Sequence, residues 1–276
     1  MLLKRAWGLL KSTHPIPSFS VTLFTLLFGI SYFLEIERLI LLGLCVLAQQ
    51  FSVGLSNDWI DYQRDKSVSR QDKPTTRGEV SEALVRNASL IAGIFALAIA
   101  SVFGWATLLM MVLMLAVGWS YNLGLKATAF SVIPYAIGFG ILPLFVTLTF
   151  VQPLLPPWWV MLVSSLLGSS AHFANALPDL YEDRKTGVRS LPHILGQRAS
   201  ALTIAIAATL ASIIVVTQSP GLDPILGVSG LVLTVGLTLA SSALALRSEP
   251  PRMMFYLLIA ASFVNVLLLV LGQLVQ

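Results

Sequence analysis

The chain has 276 residues, 56% of them hydrophobic and 11% charged, whereas soluble domains carry roughly 25% charged residues; a mean hydropathy of +0.84 excludes a water-soluble globular protein. The net charge of +4 and isoelectric point of 9.4 could suit nucleic acid. The lysines and arginines, however, lie in short stretches between apolar runs, so they are read as topological and no nucleic-acid partner is expected.

A basic start, Lys4 and Arg5, leads into His14-Pro15-Ile16-Pro17 with no small-residue cleavage site, so this segment is expected to be retained. Nine apolar runs then follow at 17–34, 39–56, 84–103, 105–121, 129–150, 158–177, 199–217, 225–246 and 253–271. Each approaches the ~20 residues of helix needed to cross a hydrocarbon layer of about 30 Å. Gly104 alone separates the third run from the fourth and is read as a tight turn, while Pro153, Pro156, Pro157, Pro220 and Pro224 mark turns in outer loops. The prediction is an all-α membrane protein of nine transmembrane helices, forming a single domain over 1–276. With the N-terminus inside, every Lys and Arg except Arg38 falls on the cytoplasmic side. The C-terminus is then on the opposite side, and Cys45, the single cysteine, lies in an apolar run as a packing residue.

The second run ends in Asn57-Asp58-Trp59-Ile60-Asp61-Tyr62-Gln63-Arg64-Asp65. If the helix continues beyond the bilayer, Asn57, Asp61 and Asp65 share one face, about 6 Å apart, and Asp58 points elsewhere. Carboxylates stacked in this way repel unless a cation lies between them, and oxygen-only donors suit a hard ion such as Mg²⁺. The sixth run ends in Pro178-Asp179-Leu180-Tyr181-Glu182-Asp183, which repeats the four-residue spacing. Both runs travel outward to inward, so the clusters emerge on the same face, in inner loops of about 57–83 and 179–198. Candidate metal ligands are therefore Asn57, Asp61, Asp65, Asp179 and Asp183.

Two facing carboxylate banks suit a magnesium diphosphate, because Mg²⁺ is commonly held by a few carboxylates together with phosphate oxygens. Nearby positive charge comes from Arg64, Lys73, Arg77, Lys126, Arg184 and Lys185. Lys73 and Arg77 are preferred because they share a turn close behind the first cluster. Tyr121, Asn122 and Lys126, at the inner end of the fourth run, are candidates to close a third side, with Asn122 and Lys126 on the diphosphate. Gln50, His172 and Asn175 lie deeper on the faces of the clusters and are expected either to line a pocket or to bond between helices.

At these residues the chain resembles the UbiA-type superfamily of intramembrane prenyltransferases, matching N-D-x-x-D-x-x-x-D at Asn57, Asp58, Asp61 and Asp65 and D-x-x-x-D at Asp179 and Asp183. The resemblance implies a UbiA-like bundle around a central cavity, with the headgroup of a prenyl diphosphate donor held by Mg²⁺ between the motifs and its tail inside the bundle. Asp61, Asp65, Asp179, Asp183 and Tyr121 become the expected catalytic residues. Family members use a tyrosine and a lysine after the fourth crossing, carried here to Tyr121 and Lys126, whose spacing of five is one longer than Y-x-x-x-K.

The expected function is ionisation of the donor and transfer of its prenyl group to a lipophilic or aromatic acceptor, with Trp119, Tyr121 and Phe173 as candidate cation-facing rings. Membrane lipid is the surrounding partner. A terpene cyclase using the same donor without an acceptor is the alternative, and a transporter of metal or polyprenyl phosphate is a remote one. Transport sites usually lie near the bilayer midplane rather than at one surface.

Overall fold

The computed structural model describes residues 2–68, 70–180, 183 and 187–274. It is all-helical over those residues, with α1 (Leu2–Ser12), α2 (Pro15–Ser31), α3 (Ile36–Ile60), α4 (Tyr62–Ser67), α5 (Glu82–Phe103), α6 (Trp105–Asn122), α7 (Ile133–Gly140), α8 (Leu142–Leu148), α9 (Trp158–Ala176), α10 (Leu191–Gln218), α11 (Pro224–Ala245) and α12 (Met253–Leu274). Large apolar side chains such as Ile91, Leu109, Leu202 and Val232 point outward, as expected where the solvent is hydrocarbon. Small polar groups join helices inside: Ser89 Oγ donates to the Ser52 carbonyl, and Ser242 Oγ to that of Ala201, at 2.8 and 3.0 Å. This is a multi-pass integral membrane bundle.

Among the described residues seven helices are long and apolar enough to cross a membrane, or eight if the bent pair α1–α2 counts as one span. The difference from the expected nine lies in the first and fifth runs. The first becomes α2, joined to α1 at a 61° bend where His14 adopts a left-handed φ of 51°. The fifth is broken at Ile141 into α7 and α8, each with a proline in its first turn. Together they extend about 24 Å at about 1.5 Å per residue, short of a full hydrocarbon layer. The Gly104 turn forms where expected, between α5 and α6.

The helices close into a ring. α2 packs on α3, which packs on α5 and α6; α6 meets α7, α7 meets α9, and α9, α10, α11 and α12 follow until α12 returns to α2. Close approach of α3 to the α1–α2 junction depends on Gly54, where a Cβ would lie 2.5 Å from the Thr13 carbonyl oxygen. That contact brings His14 beside the C-terminal end of α3, where its Nε2 meets Asp58. α10 is kinked at Gly196, and its first turn brings His193 Nε2 to 4.0 Å from Asp183 Oδ2.

Candidate active site

One end of the ring opens into a cavity of about 520 Å³, lined at its mouth by both aspartate clusters. α3 stops at Ile60, but Asp61 keeps near-helical dihedrals. Hydrogen bonds from Asp61 N to the Asn57 carbonyl (3.0 Å) and from Asp65 N to the Asp61 carbonyl (2.8 Å) carry the i to i−4 pattern into α4. Asn57, Asp61 and Asp65 consequently line the same cavity. Asp179 ends a 3₁₀ turn, Leu177–Asp179, that prolongs α9. The Asp183 carbonyl accepts from Val188 N at 3.0 Å.

Asp61 Oδ2 gathers three donors: the buried Lys126 ammonium, Arg64 Nη2 at 2.7 Å and Asn57 Nδ2 at 3.3 Å. Gly124 makes the Lys126 contact reachable. Its φ of 148° turns the chain after α6 into a 3₁₀ turn, Leu125–Ala127, that folds the lysine back, which a side chain at that position would resist. Asn122 Nδ2 donates to Ser56 Oγ and the Val53 carbonyl, at 2.7 and 2.9 Å, while its Oδ1 accepts from Asn57 at 3.1 Å. The α6 terminus is thereby tied to the first cluster.

Asp65 is 3% exposed and its Oδ2 has no hydrogen-bond partner. Burial pushes its pKa up, the Asp61 charge adds to this, and the Lys73 charge offsets part of it. Asp183 is pushed up to about 6 by burial and by the neighbouring Asp179. For Lys73, burial opposes the charged form, but Asp58, Asp65 and Asp61 outweigh it and the pKa is raised. For Lys126 burial wins over Asp61, and the pKa is lowered.

Asp58, expected to point elsewhere, lines the same cavity as Asn57, Asp61 and Asp65 but is engaged by cations. Its side chain is 1% exposed and Oδ1 meets Lys73 Nζ at 2.6 Å and His14 Nε2 at 3.0 Å. This joins the α1–α2 junction, α3 and the loop between α4 and α5. A second ionic group lies at the other side of the mouth. Asp72 accepts two hydrogen bonds from Arg70, at 2.9 and 2.8 Å, and one from Arg252 at 3.0 Å. Both guanidinium groups also approach Asp179 Oδ1, at 3.5 and 3.9 Å. The Arg70 hydrogen bonds hold the Asp72 carboxyl well below the usual range.

The sequence pattern of the UbiA prenyltransferase family matches residues 7–267. The chain belongs to the UbiA prenyltransferase family. One relative is the bacteriochlorophyll synthase 33 kDa chain of Cereibacter sphaeroides, 29% identical over 199 residues that cover 65% of this chain; the match spans 62% of that relative's length. The UbiA fold is shared with a UbiA homologue of Aeropyrum pernix K1 (TM-score 0.73, 18% identity, 88% of this chain and 94% of that one). It is shared also with a UbiA homologue of Archaeoglobus fulgidus bound to GPP and Mg²⁺ (TM-score 0.68, 16% identity, 96% and 98%).

In this UbiA chain the residues singled out from sequence separate into two groups. Asn57, Asp61, Asp65, Lys73, Tyr121, Asn122, Lys126, Asp179 and Asp183 all line the one cavity, as do Arg64, Gln50 and Asn175. Arg77 does not. The turn closed by Arg77 N on the Lys73 carbonyl directs its side chain to Glu79 at 2.9 Å and to the Gln71 carbonyl at 3.3 Å. Trp119 donates to Ser52 Oγ at 3.2 Å and packs edge-on against Trp59. His172 is fully buried beside Phe173 and bonds Ser131 Oγ at 3.0 Å. None of the three lines the cavity, and neither does Phe173; its aromatic lining is Tyr121, Tyr135, Phe139, Phe255 and Tyr256. Glu182, Arg184 and Lys185 lie outside the described residues. Sequence reasoning missed the Asp72–Arg70–Arg252 group and the His14–Asp58–Lys73 tie. The only signal for them was the placement of those charges in inner loops.

Among the described residues no three acids converge closely enough to cage a cation by themselves. Mg²⁺ does not require such a cage, since it is usually held by one or two carboxylates plus phosphate and water oxygens. An oxygen-only donor set that includes the unpartnered Asp65 Oδ2 fits that ion.

Proposed function

We propose that this protein is a Mg²⁺-dependent intramembrane prenyltransferase that ionises a prenyl diphosphate at the mouth of the cavity and transfers the prenyl group to a lipophilic or aromatic acceptor. The observation that carries the reading is one cavity with a charged mouth and an apolar depth. Asp61, Asp65, Asp179 and Asp183 stand at one end, and Val117, Leu142 and Ala174 line the interior. Asn57, Asp61, Asp65, Asp179 and Asp183 would hold Mg²⁺, which when bound supplies Lewis-acid neutralisation of the leaving diphosphate.

The chain's own groups account for the rest of the chemistry. Lys73, Lys126 and Arg64 bring positive charge to the phosphate oxygens, and the Asn57 and Asn122 amides fix the inner ends of α3 and α6 around them. Tyr121, Tyr135 and Phe139 line the interior where an allylic cation would develop, and aromatic faces attract cations. The apolar wall excludes water, which would otherwise quench the cation. The topology belonging to this reading has nine crossings in one domain, the broken α7–α8 counting as the fifth. The N-terminus and both aspartate loops are cytoplasmic, and the C-terminus lies on the other side.

Asp61→Ala and Asp179→Ala should each abolish turnover of a labelled prenyl diphosphate in membranes, and retained activity in either would overturn the reading. Incubation with the donor and Mg²⁺ but no acceptor tests the cyclase alternative, because a cyclic hydrocarbon product would replace transfer with cyclisation. Failure to release pyrophosphate under any of these conditions would point to transport.

A further inference from the structure

The mouth of the cavity carries a cationic pair that none of the aspartate-motif chemistry uses. Arg70 comes from the first inner loop. Arg252 comes from the last, one residue before α12 begins, and 180 residues separate it from its partner Asp72. Both line the cavity and both stand within 4 Å of Asp179. We propose that Arg252, with Arg70, is a diphosphate-binding arm on the Asp179 side of the mouth, and that Asp72 is the positioning residue that holds both guanidinium groups ready. The inference rests on the donor-site reading above and adds a contact that the two motifs do not supply.

The argument is electrostatic and geometric. The exposed Arg252–Asp72 pair, 59% and 39% exposed, contributes at most about 1 kcal/mol on its own, which gives no reason for Arg252 to join Arg70 from a distant loop on one cavity rim. Once a cation occupies Asp179, guanidinium groups 3.5 and 3.9 Å away are repelled unless an anion lies between them and the cation. A diphosphate supplies that anion. Arginine is the side chain suited to it, because its planar fork offers paired N–H donors to two phosphate oxygens. Asp72 holds Arg70 through both ends of that fork and Arg252 through one contact. Arg252 therefore gives up less when it turns to a ligand, and at 59% exposure its side chain is free to swing.

The test is calorimetric titration of the purified full-length protein in detergent with inorganic pyrophosphate in excess Mg²⁺. Arg252→Gln should weaken binding about tenfold, equivalent to ~1.4 kcal/mol. It should leave the thermal midpoint of the unliganded protein unchanged, because the side chain is largely exposed. Arg252→Lys, which keeps the charge but not the fork, should recover part of the loss. Arg86→Gln, on an inner charge outside the cavity, should bind as the unaltered protein does. If Arg252→Gln binds like the unaltered protein while Asp179→Ala does not bind, the arm is refuted and the donor site stands. If the unaltered protein binds no pyrophosphate at any Mg²⁺ concentration, the donor-site reading fails and the arm fails with it.

Discussion

Replacing Asp58 by alanine separates the scaffold of the site from its ligands. Asp58 and Lys73 are 1% and 11% exposed and 2.6 Å apart, and removing one partner of a buried pair costs about 3–5 kcal/mol because the other charge is left uncompensated. Lys73 still feels Asp65 and Asp61, which places the expected loss at the lower end, about 3 kcal/mol. At roughly 2–4 °C per kcal/mol for chains of about this size, the thermal midpoint in detergent should fall by about 6–12 °C. Lys73→Met should fall by a comparable amount, since it strands Asp58 with only the half-exposed His14. The double variant Asp58→Ala/Lys73→Met should lose clearly less than the sum, because neither charge is stranded. A double variant that is strictly additive, or an Asp58→Ala midpoint within about 2 °C of the unaltered protein, would refute the buried pair.

Other consequences follow from the same geometry. Asp65→Asn removes a carboxylate that burial disfavours, so the metal-free thermal midpoint should hold or rise while stabilisation by Mg²⁺ with pyrophosphate disappears in the same melting assay; a lower metal-free midpoint would contradict the assignment. Asp183, with a pKa near 6, is uncharged below that value, so calorimetric Mg²⁺–pyrophosphate affinity should strengthen between about pH 5 and about pH 7. The folded protein binds this proton more tightly than the unfolded chain, so metal-free stability should fall as pH rises from the ordinary carboxylate value of 3.8 through about 6. A flat profile in both assays would refute the shift. Gly124→Ala places a side chain at φ 148°, a strain of order 1–3 kcal/mol. It should draw Lys126 off Asp61 and raise the KM for the donor, and unchanged kinetics would show that the 3₁₀ turn does not set the lysine.

Much of the site was legible because helical spacing is a local property. Asn57, Asp61 and Asp65 are one turn apart, and hydrogen bonding across the α3–α4 junction keeps them facing one cavity even though the helix formally ends. The break in the fifth apolar run was not legible because hydropathy averages over it. Pro134 and Pro143 each begin a short helix without changing the composition of the segment. Arg77 was favoured on its turn sequence, yet that same turn sends it outward to Glu79, and Arg70, which was not among the candidates, lines the cavity. Trp119 and Phe173 sit on the right helices but face the packed interior rather than the cavity. Contacts such as His14 to Asp58 or Arg252 to Asp72 join segments that only the closed ring brings together, and no spacing along the chain encodes them.

The Lys126 ammonium on Asp61 bears on how the site would recover between turnovers under the proposed reaction. The acids at the mouth are not a bare field of negative charge waiting for a metal, because Lys126, Arg64 and Arg70 already neutralise part of it. A magnesium-bound headgroup would exchange one set of counter-ions for another and leave the displaced cations to the phosphates. On departure of pyrophosphate the same lysine would fall back onto its carboxylate, so under that reading product release would not leave the acids unscreened.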